Sequence, residues 1–286
     1  MQRWPRRWRK AVDILQREGF AITERPTAAP GDATRLAREA LEQGVEVVLV
    51  AGGDGTINEV LNGIAGTGVV LGALPGGTAN VLCRELGLGT RWESAARALC
   101  RARPEPVAIG VVETADGAQR QFLCMAGVGL DAAVVRKVDP NLKRRSGKLA
   151  YYAASFALAG KRLAEFDAAF GGEHKRLSFL LASRVRNYGG DFTIARGASL
   201  RRGDFEVVGC EGSSSLRYFK YFAGVLCARL AQMKGVTVRA AEYVELRPVG
   251  EEPVYVQVDG ELAGLLPARI WIMAEGVRLL IPPEYR

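Results

Sequence analysis

Two short apolar segments, each leading into a glycine-rich turn and then a helical pattern, constrain the fold more than any other feature of this sequence. Residues 45–51 (VEVVLVA) are a continuous β-branched run typical of a buried strand, and GGDGT and a helical pattern over 56–65 follow directly. Residues 69–75 (VVLGALP) repeat the arrangement, with PGGTAN and a helix over 78–86. Strands that alternate with helices predict a parallel sheet with right-handed crossovers.

The segments before the first of these strands extend the alternation. Residues 11–18 have helical spacing, and residues 20–26 resemble a strand that ends at Pro26. Residues 31–44 form a helical pattern with Asp32 as its expected N-cap and a glycine after its end.

After residue 105 the pattern changes to successive strands joined by turn signals. Such a series predicts an antiparallel sheet or a sandwich, interrupted by helices near 146–163 and 215–234. We therefore predict an α/β protein with a parallel N-terminal domain, residues 1–105, and a β-rich C-terminal domain, residues 106–286. Residues 216–233 could line a ligand cleft or pack in the core, and the apolar content favours the core.

The composition is that of an ordinary globular protein, with 48% hydrophobic and 24% charged residues. The longest uncharged apolar run, residues 149–160, is too short for a transmembrane segment, and no signal-peptide core follows the basic N-terminus. These features favour a cytoplasmic protein.

The net charge of +8 is compatible with nucleic acid, an anionic membrane surface or a phosphorylated substrate as partner. No RNA-binding signature accompanies the basic clusters, so nucleic acid is not expected. Five scattered cysteines and a single histidine, His174, argue against a Cys/His zinc site and against histidine-based catalysis.

Both glycine turns follow a predicted parallel strand, which is where open α/β sheets place their ligands. The helix N-termini that follow offer N–H groups and a positive dipole end to an anion. The alternative is that both are tight turns without a ligand. In the first turn, Thr56 and Glu59 match a capping box, which needs no ligand. Neither turn matches the Walker or dinucleotide patterns.

The carboxylate of Asp54, in the middle of the first turn, would repel a phosphate unless a divalent cation lay between them. Mg²⁺ held by carboxylates, water and phosphate oxygens is the common arrangement. The turn therefore predicts a nucleotide–Mg²⁺ site for phosphoryl transfer.

These motifs together resemble the diacylglycerol kinase catalytic domain family, which includes soluble bacterial lipid kinases and the sphingosine kinases. GGDGT with INEV, and LPGGTANVLCREL, are the strongest matches. TAAPGDA (27–33), AGVGLDAAVV (126–135), the stretch from 188 to 208 and VDGE (258–261) follow in order. The resemblance implies a Rossmann-like parallel domain, a C-terminal β-sandwich whose extreme C-terminus packs back on the first domain, and a cleft between the two domains.

The resemblance also implies ATP- and Mg²⁺-dependent phosphorylation of a lipid hydroxyl at an anionic membrane surface, and it allows a homodimer. Asp259 would be the general base, with Glu261 beside it, although VDGEL also reads as a simple hairpin turn. The residues expected to hold the nucleotide are Thr27, Gly52, Gly53, Asp54, Gly55, Thr56, Asn58, Glu59, Gly77, Thr78 and Asn80.

Two departures from the family pattern stand out. The chain begins inside the expected first helix, without the first strand and its N-P-x-S-G loop, and we expect a start codon assigned too late, with true loss of the strand as the alternative. Arg202 stands where the family commonly has an aspartate that binds a structural Mg²⁺. A guanidinium has only donors, so this accessory site is expected to be weak or absent, unless Asp204 replaces the missing ligand.

Two other functions remain open from the sequence. NAD kinase shares GGDGT and a related fold, but PGGTAN and VDGE favour the lipid kinases. A catalytically silent protein that binds lipid or nucleotide is favoured by the missing strand and by Arg202.

Overall fold

The computed structural model of the chain describes residues 6–137, 160, 162–189 and 192–286. Contacts divide the chain into two compact units, Met1–Val107 with Glu275–Arg286, and Ala108–Ala274. The polypeptide passes from one unit to the other within two strands, β3 (Arg103–Glu113) and β16 (Ala268–Ile281).

The first unit alternates helices with parallel strands. Its elements before β3 are α1 (Arg6–Arg17), α2 (Asp32–Glu42), β1 (Val47–Gly52), α3 (Asp54–Ile64), β2 (Val70–Pro75), α4 (Val81–Glu85) and α5 (Trp92–Arg101). Strands β1 and β2 are parallel, and the end of β16 runs parallel to β2. The predicted parallel α/β arrangement is confirmed.

Helices α1 and α5 pack together in the first unit. Trp8 and Trp92 meet edge to face, with ring centroids 5.6 Å apart. Leu71 and Leu74 of β2 are fully buried, as expected for a strand covered on both faces.

Two local predictions in this unit were wrong. Residues 20–28 contain no strand: most of their side chains are exposed, and Pro26 has no N–H to contribute to a ladder. Asp32 is the first residue of α2 and not its N-cap, which is Gly31. Its carboxylate accepts the N–H groups of Ala28 and Ala29 at 2.8 and 3.0 Å. These bonds lower the pKa of Asp32.

The second unit is built mostly from antiparallel strands. Its elements after β3 are β4 (Gln119–Phe122), β5 (Met125–Gly129), α6 (Leu130–Lys137), β6 (Phe166–Phe170), β7 (Glu173–Leu177), β8 (Phe179–Ser183), β9 (Asn187–Tyr188), β10 (Phe192–Thr193), β11 (Phe205–Cys210), α7 (Ser215–Leu226), a 3₁₀ turn (Leu230–Gln232), β12 (Val236–Ala241), β13 (Tyr243–Pro248), β14 (Tyr255–Val258), β15 (Glu261–Leu265) and β16.

Apart from β9 and β10, which pair only with each other, these strands form two sheets that share one hydrophobic core. One sheet has the order β12-β11-β8-β5-β14-β15, and the other runs β16-β13-β6-β7, with β3 and β4 attached through β16. Phe122 and Phe205 stack at the centre of the core, with centroids 5.6 Å apart and rings inclined by 15°. The predicted C-terminal β-sandwich is confirmed.

The two helices predicted in this unit have different outcomes. The helix near 146–163 lies outside the described residues. Helix α7 lies within the predicted 215–234 and ends earlier than expected, at Leu226. Several of its large apolar side chains are exposed, so the prediction that this segment packs in the core was wrong.

Candidate active site

The two glycine turns touch each other through their backbones. The N–H of Gly76 donates to the carbonyl of Gly52 at 2.9 Å. A Cβ added to Gly77 would lie 2.5 Å from the Cα of Gly53, and one added to Gly76 would lie 2.9 Å from the Cα of Gly52. These glycines are therefore required for the two turns to pack, whatever else binds there.

Asp54 joins the turns through its side chain. It is the first residue of α3, and its carboxylate accepts the N–H of Leu82, in the first turn of α4, at 3.4 Å. Burial raises the pKa of Asp54, while backbone N–H groups around α4 oppose the shift. The negative charge thus has a partner in the protein itself, and its predicted contact with nucleotide-bound Mg²⁺ stays a prediction.

The capping box predicted from Thr56 and Glu59 is wrong. Helix α3 begins at Asp54, with Gly53 as N-cap and no capping side chain, so Thr56 already lies in the first turn. Glu59 instead accepts the N–H of Ala33 in α2 at 3.1 Å, while the Thr34 hydroxyl donates to the Glu59 carbonyl at 2.8 Å. Glu59 therefore connects α3 to the start of α2.

Asn80 closes the second turn on itself. Its side-chain oxygen accepts the N–H of Gly77 at 2.7 Å, and its amide nitrogen donates to the Gly77 carbonyl at 2.8 Å. Asn80 has a φ of 48°, a conformation that asparagine tolerates better than most residues. Helix α4 begins only at Val81, so Thr78 is an exposed turn residue and not a helix cap.

The remaining predicted nucleotide residues differ in their surroundings. Asn58 is buried in α3, where its side-chain oxygen accepts a hydrogen bond from Asn62 at 3.2 Å. Thr27 is exposed within the irregular segment of residues 20–28. The contacts above thus bring Gly52, Gly53 and Asp54 to the second turn, whereas those of Glu59 lead to α2.

Asp259, in the VDGE turn of the second unit, is held by backbone donors. Its carboxylate accepts the N–H groups of Leu123, Cys124 and Met125 at 3.1, 3.0 and 2.9 Å. Its own N–H donates to the Met125 carbonyl at 3.0 Å, and its φ is 47°. The side chain therefore fixes the turn against the segment between β4 and β5.

A second set of bonds holds the same turn from its other side. Gln257 accepts the N–H of Gly260 at 2.8 Å and donates to Asp131 at 2.6 Å. Asp131 also accepts a short hydrogen bond from the Tyr188 hydroxyl. Burial raises the pKa of Asp131, although both donors act in the opposite direction.

Glu261 is the more accessible carboxylate of the turn. Its side chain is 40% exposed and forms an ion pair with Arg120 at 3.3 Å. Arg120 also donates to the Leu262 carbonyl at 2.7 Å. Glu261 thus stands on a turn whose backbone is fixed, while its own carboxylate reaches solvent.

The residues around Arg202 do not fit the accessory metal. The Arg202 guanidinium donates to both carboxylate oxygens of Asp204, at 2.7 and 2.6 Å. The fully buried Arg184 donates to the carbonyls of Leu200, Arg202 and Asp204 at 2.8, 2.7 and 3.0 Å. Within the described residues, no group of three or more His, Cys, Asp or Glu could hold a metal ion.

Sequence reasoning missed several residues that position these turns. Trp92 donates its indole N–H to the Pro75 carbonyl at 2.5 Å, just before the second turn. Gln257, Arg120 and Arg184 were also missed. Arg120 and Arg184 lie in no motif. Gln257 stands directly before VDGE, on the face of β14 opposite the core residues Val256 and Val258, and the alternation gives no sign that it is buried beside Asp131.

Comparison with known proteins agrees with these two units. Residues 2–112 match the diacylglycerol kinase catalytic domain, and residues 124–281 match the YegS C-terminal NAD kinase beta sandwich-like domain. The chain is 26% identical over 277 residues to a diacylglycerol kinase of Mycobacterium tuberculosis, covering 95% of this chain and 88% of that protein. It is 26% identical over 281 residues to a diacylglycerol kinase of Bacillus subtilis, covering 96% and 90%.

A solved structure has the same fold. The crystal structure of a diacylglycerol kinase from Bacillus anthracis matches with a TM-score of 0.77 at 22% identity, covering 97% of this chain and 91% of that one.

The contact between the glycine turns predicts a large effect of a single methyl group. We expect Gly77→Ala to lower the free energy of unfolding by about 1–3 kcal/mol, because the new Cβ forces the turns apart. Gly250→Ala is the control, since a Cβ there meets nothing within 4 Å. Urea denaturation of both variants measures the difference, and equal stability would contradict the contact.

The hydrogen bonds of Arg184 predict that the loop from Leu200 to Asp204 is held in place without a metal ion. Arg184→Met should lower the free energy of unfolding by about 3 kcal/mol or more, because the three carbonyls of Leu200, Arg202 and Asp204 lose their donor, the first of them in a buried bond. The exposed Arg91→Met is the control.

Because Arg184→Met alone could fail to fold, the unaltered protein provides a second test. Its thermal midpoint should be the same in Mg²⁺ and in EDTA. A fall of the midpoint in EDTA would mean that a metal does hold this loop.

Proposed function

Since this chain belongs to the diacylglycerol kinase catalytic domain family, with a YegS-type C-terminal β-sandwich, we propose that it is an ATP- and Mg²⁺-dependent lipid kinase. The γ-phosphoryl group would pass to a hydroxyl of diacylglycerol or a similar lipid. Related proteins named diacylglycerol kinase support this acceptor class.

The observation that carries the proposal is the pair of adjoining glycine turns. Helix α3 starts at the first turn, and no side chain caps it. The N–H groups of its first turn point toward the helix start, where an anion is favoured. Residues 76–78 are exposed directly beside it. This arrangement suits the phosphates of a nucleotide.

Asp54 is the residue of this turn that would hold Mg²⁺, since carboxylate oxygens are its preferred protein ligands. When bound with the nucleotide, the cation would neutralise phosphate charge. Asp54 also stays bonded to the start of α4, which fixes the position of its carboxylate.

The geometry of the second unit supports different roles for the two carboxylates of the VDGE turn. Three backbone N–H groups donate to the Asp259 carboxylate, so this side chain is engaged in holding the turn. Glu261 forms an ion pair with Arg120 at 3.3 Å, and its side chain is 40% exposed. We therefore propose that Glu261 accepts the proton of the lipid hydroxyl and that Asp259 positions the turn.

The activity is tested with the purified chain, ATP and Mg²⁺, against diacylglycerol, sphingosine, ceramide and phosphatidylglycerol in mixed micelles, and against NAD. We expect ADP release that depends on diacylglycerol, together with phosphorylated lipid. Phosphorylation of NAD alone would favour an NAD kinase. ATP binding without turnover of any acceptor would favour a silent binding protein.

The division of roles predicts different effects of two isosteric substitutions. Glu261→Gln should lower kcat about 10²–10⁴-fold and leave stability unchanged, because the proton acceptor is gone. Asp259→Asn should lower kcat and also reduce the free energy of unfolding by about 1–3 kcal/mol, because its amide nitrogen cannot accept the N–H bonds.

The exposed Glu252→Gln is the matched control and should leave both quantities unchanged. If Glu261→Gln kept full activity while Asp259→Asn lost it without loss of stability, Asp259 would be the base.

A further inference from the structure

Helix α7 exposes a row of large apolar side chains. Leu216 is 62% exposed, Phe219 49%, Phe222 43% and Leu226 61%. At about 100° per residue, Leu216, Phe219 and Leu226 fall within an arc of about 80°, so they lie on one side of the helix. Phe222 lies at the edge of this side, where its ring meets Phe192 edge to face with centroids 5.3 Å apart. We call these four residues the α7 face.

The opposite side of α7 is firmly attached to the β-sandwich, so the α7 face cannot simply turn inward. The Tyr218 hydroxyl shares a hydrogen bond of 2.7 Å with Ser178, and the Tyr221 hydroxyl donates to the Glu211 carbonyl at 3.1 Å. Tyr221 and Gly224, which lie on that opposite side, are buried. The exposed apolar area is therefore a fixed property of the fold.

The segment that contains α7 carries only basic charged residues, although Glu211 and Glu242 flank it. Residues 212–241 contain no aspartate or glutamate, and their basic residues are Arg217, Lys220, Arg229, Lys234 and Arg239. All five are exposed, and Arg239 forms an ion pair with Glu173 at 3.0 Å. Lys220 lies next to Phe219 in sequence and borders the apolar arc.

We propose that the α7 face docks the protein on an anionic lipid surface, with the apolar side chains entering the interface and the basic residues contacting acidic headgroups. An amphipathic helix with a basic border is the usual form of such a contact. The proposal rests on the proposed function, because a lipid acceptor lies in a membrane. Within the described residues no helix is long and apolar enough to cross a bilayer.

Charge complementarity also decides between a membrane and a second copy of the chain. In a symmetric dimer through this face, each α7 would bring the same basic residues against its partner. Like charges across an interface disfavour the complex, whereas acidic headgroups attract every one of them. A dimer is therefore the outcome that would overturn the proposal.

The test is sedimentation of the purified full chain, without ATP, with vesicles of phosphatidylcholine alone or mixed with phosphatidylglycerol. We expect binding that needs the anionic lipid and weakens with salt. The double variant Phe219→Ser, Leu226→Ser should bind at least about tenfold more weakly, because two large apolar groups no longer enter the lipid. The double variant Val45→Ser, Val249→Ser changes two exposed apolar residues elsewhere and should bind normally.

A charge variant tests the electrostatic part separately. Lys220→Glu should weaken binding to anionic vesicles about fivefold or more, whereas the exposed control Arg38→Glu should not. Unchanged vesicle binding by the Ser and Glu variants of α7 would overturn the proposal. A dimer in sedimentation velocity that the Phe219→Ser, Leu226→Ser variant abolishes would assign the face to self-association and also overturn it.

The assay separates this proposal from the proposed kinase activity. Vesicle binding requires no turnover, so it can succeed when no acceptor is phosphorylated. Conversely, kinase activity on a short-chain lipid in micelles, with no binding to anionic vesicles, would retain the kinase and exclude the docking face.

Discussion

The direct contact between the Gly52–Gly53 and Gly76–Gly77 backbones is the constraint on which the first unit depends. Two strand ends can come this close only without side chains, and the hydrogen bond between Gly76 and Gly52 then holds them. The contact brings the start of α3 beside the start of α4. Asp54 can therefore bridge the two, and one charged residue organises both turns.

In the second unit, too, polar side chains fix the backbone of a turn, while a neighbouring carboxylate stays accessible to solvent. Asp259 and Gln257 direct their polar atoms to backbone groups of neighbouring segments, and this fixes the turn between β14 and β15. Glu261, two residues beyond Asp259, is left partly exposed. Arg184 acts in a comparable way on the loop before β11, where a buried guanidinium binds three carbonyls.

The sequence predicted the elements well where one pattern decides them. The β-branched runs at Val47 and Val70 gave the parallel strands, and the alternating segments gave the sandwich. Prediction from the sequence failed where contacts with residues distant in the sequence determine the local structure. Thr56 and Glu59 have the spacing of a capping box, but α3 starts earlier and Glu59 meets Ala33 of α2. The apolar residues of α7 predicted a core helix. This prediction failed because composition does not show which side of a helix a sheet will cover. Asp54 likewise has a bonding partner, Leu82, that no local pattern reveals.

The two acidic side chains of α3 have a consequence for how the first unit opens. Helix α3 is hydrogen-bonded to α4 through Asp54 and to α2 through Glu59. Movement of any of these three helices away from its neighbour therefore breaks at least one of these hydrogen bonds. Local opening should therefore be cooperative across all three. In hydrogen exchange, the amide protons of Ala33 and Leu82, which these carboxylates accept, should become exchangeable in a common event, although they lie far apart in the sequence.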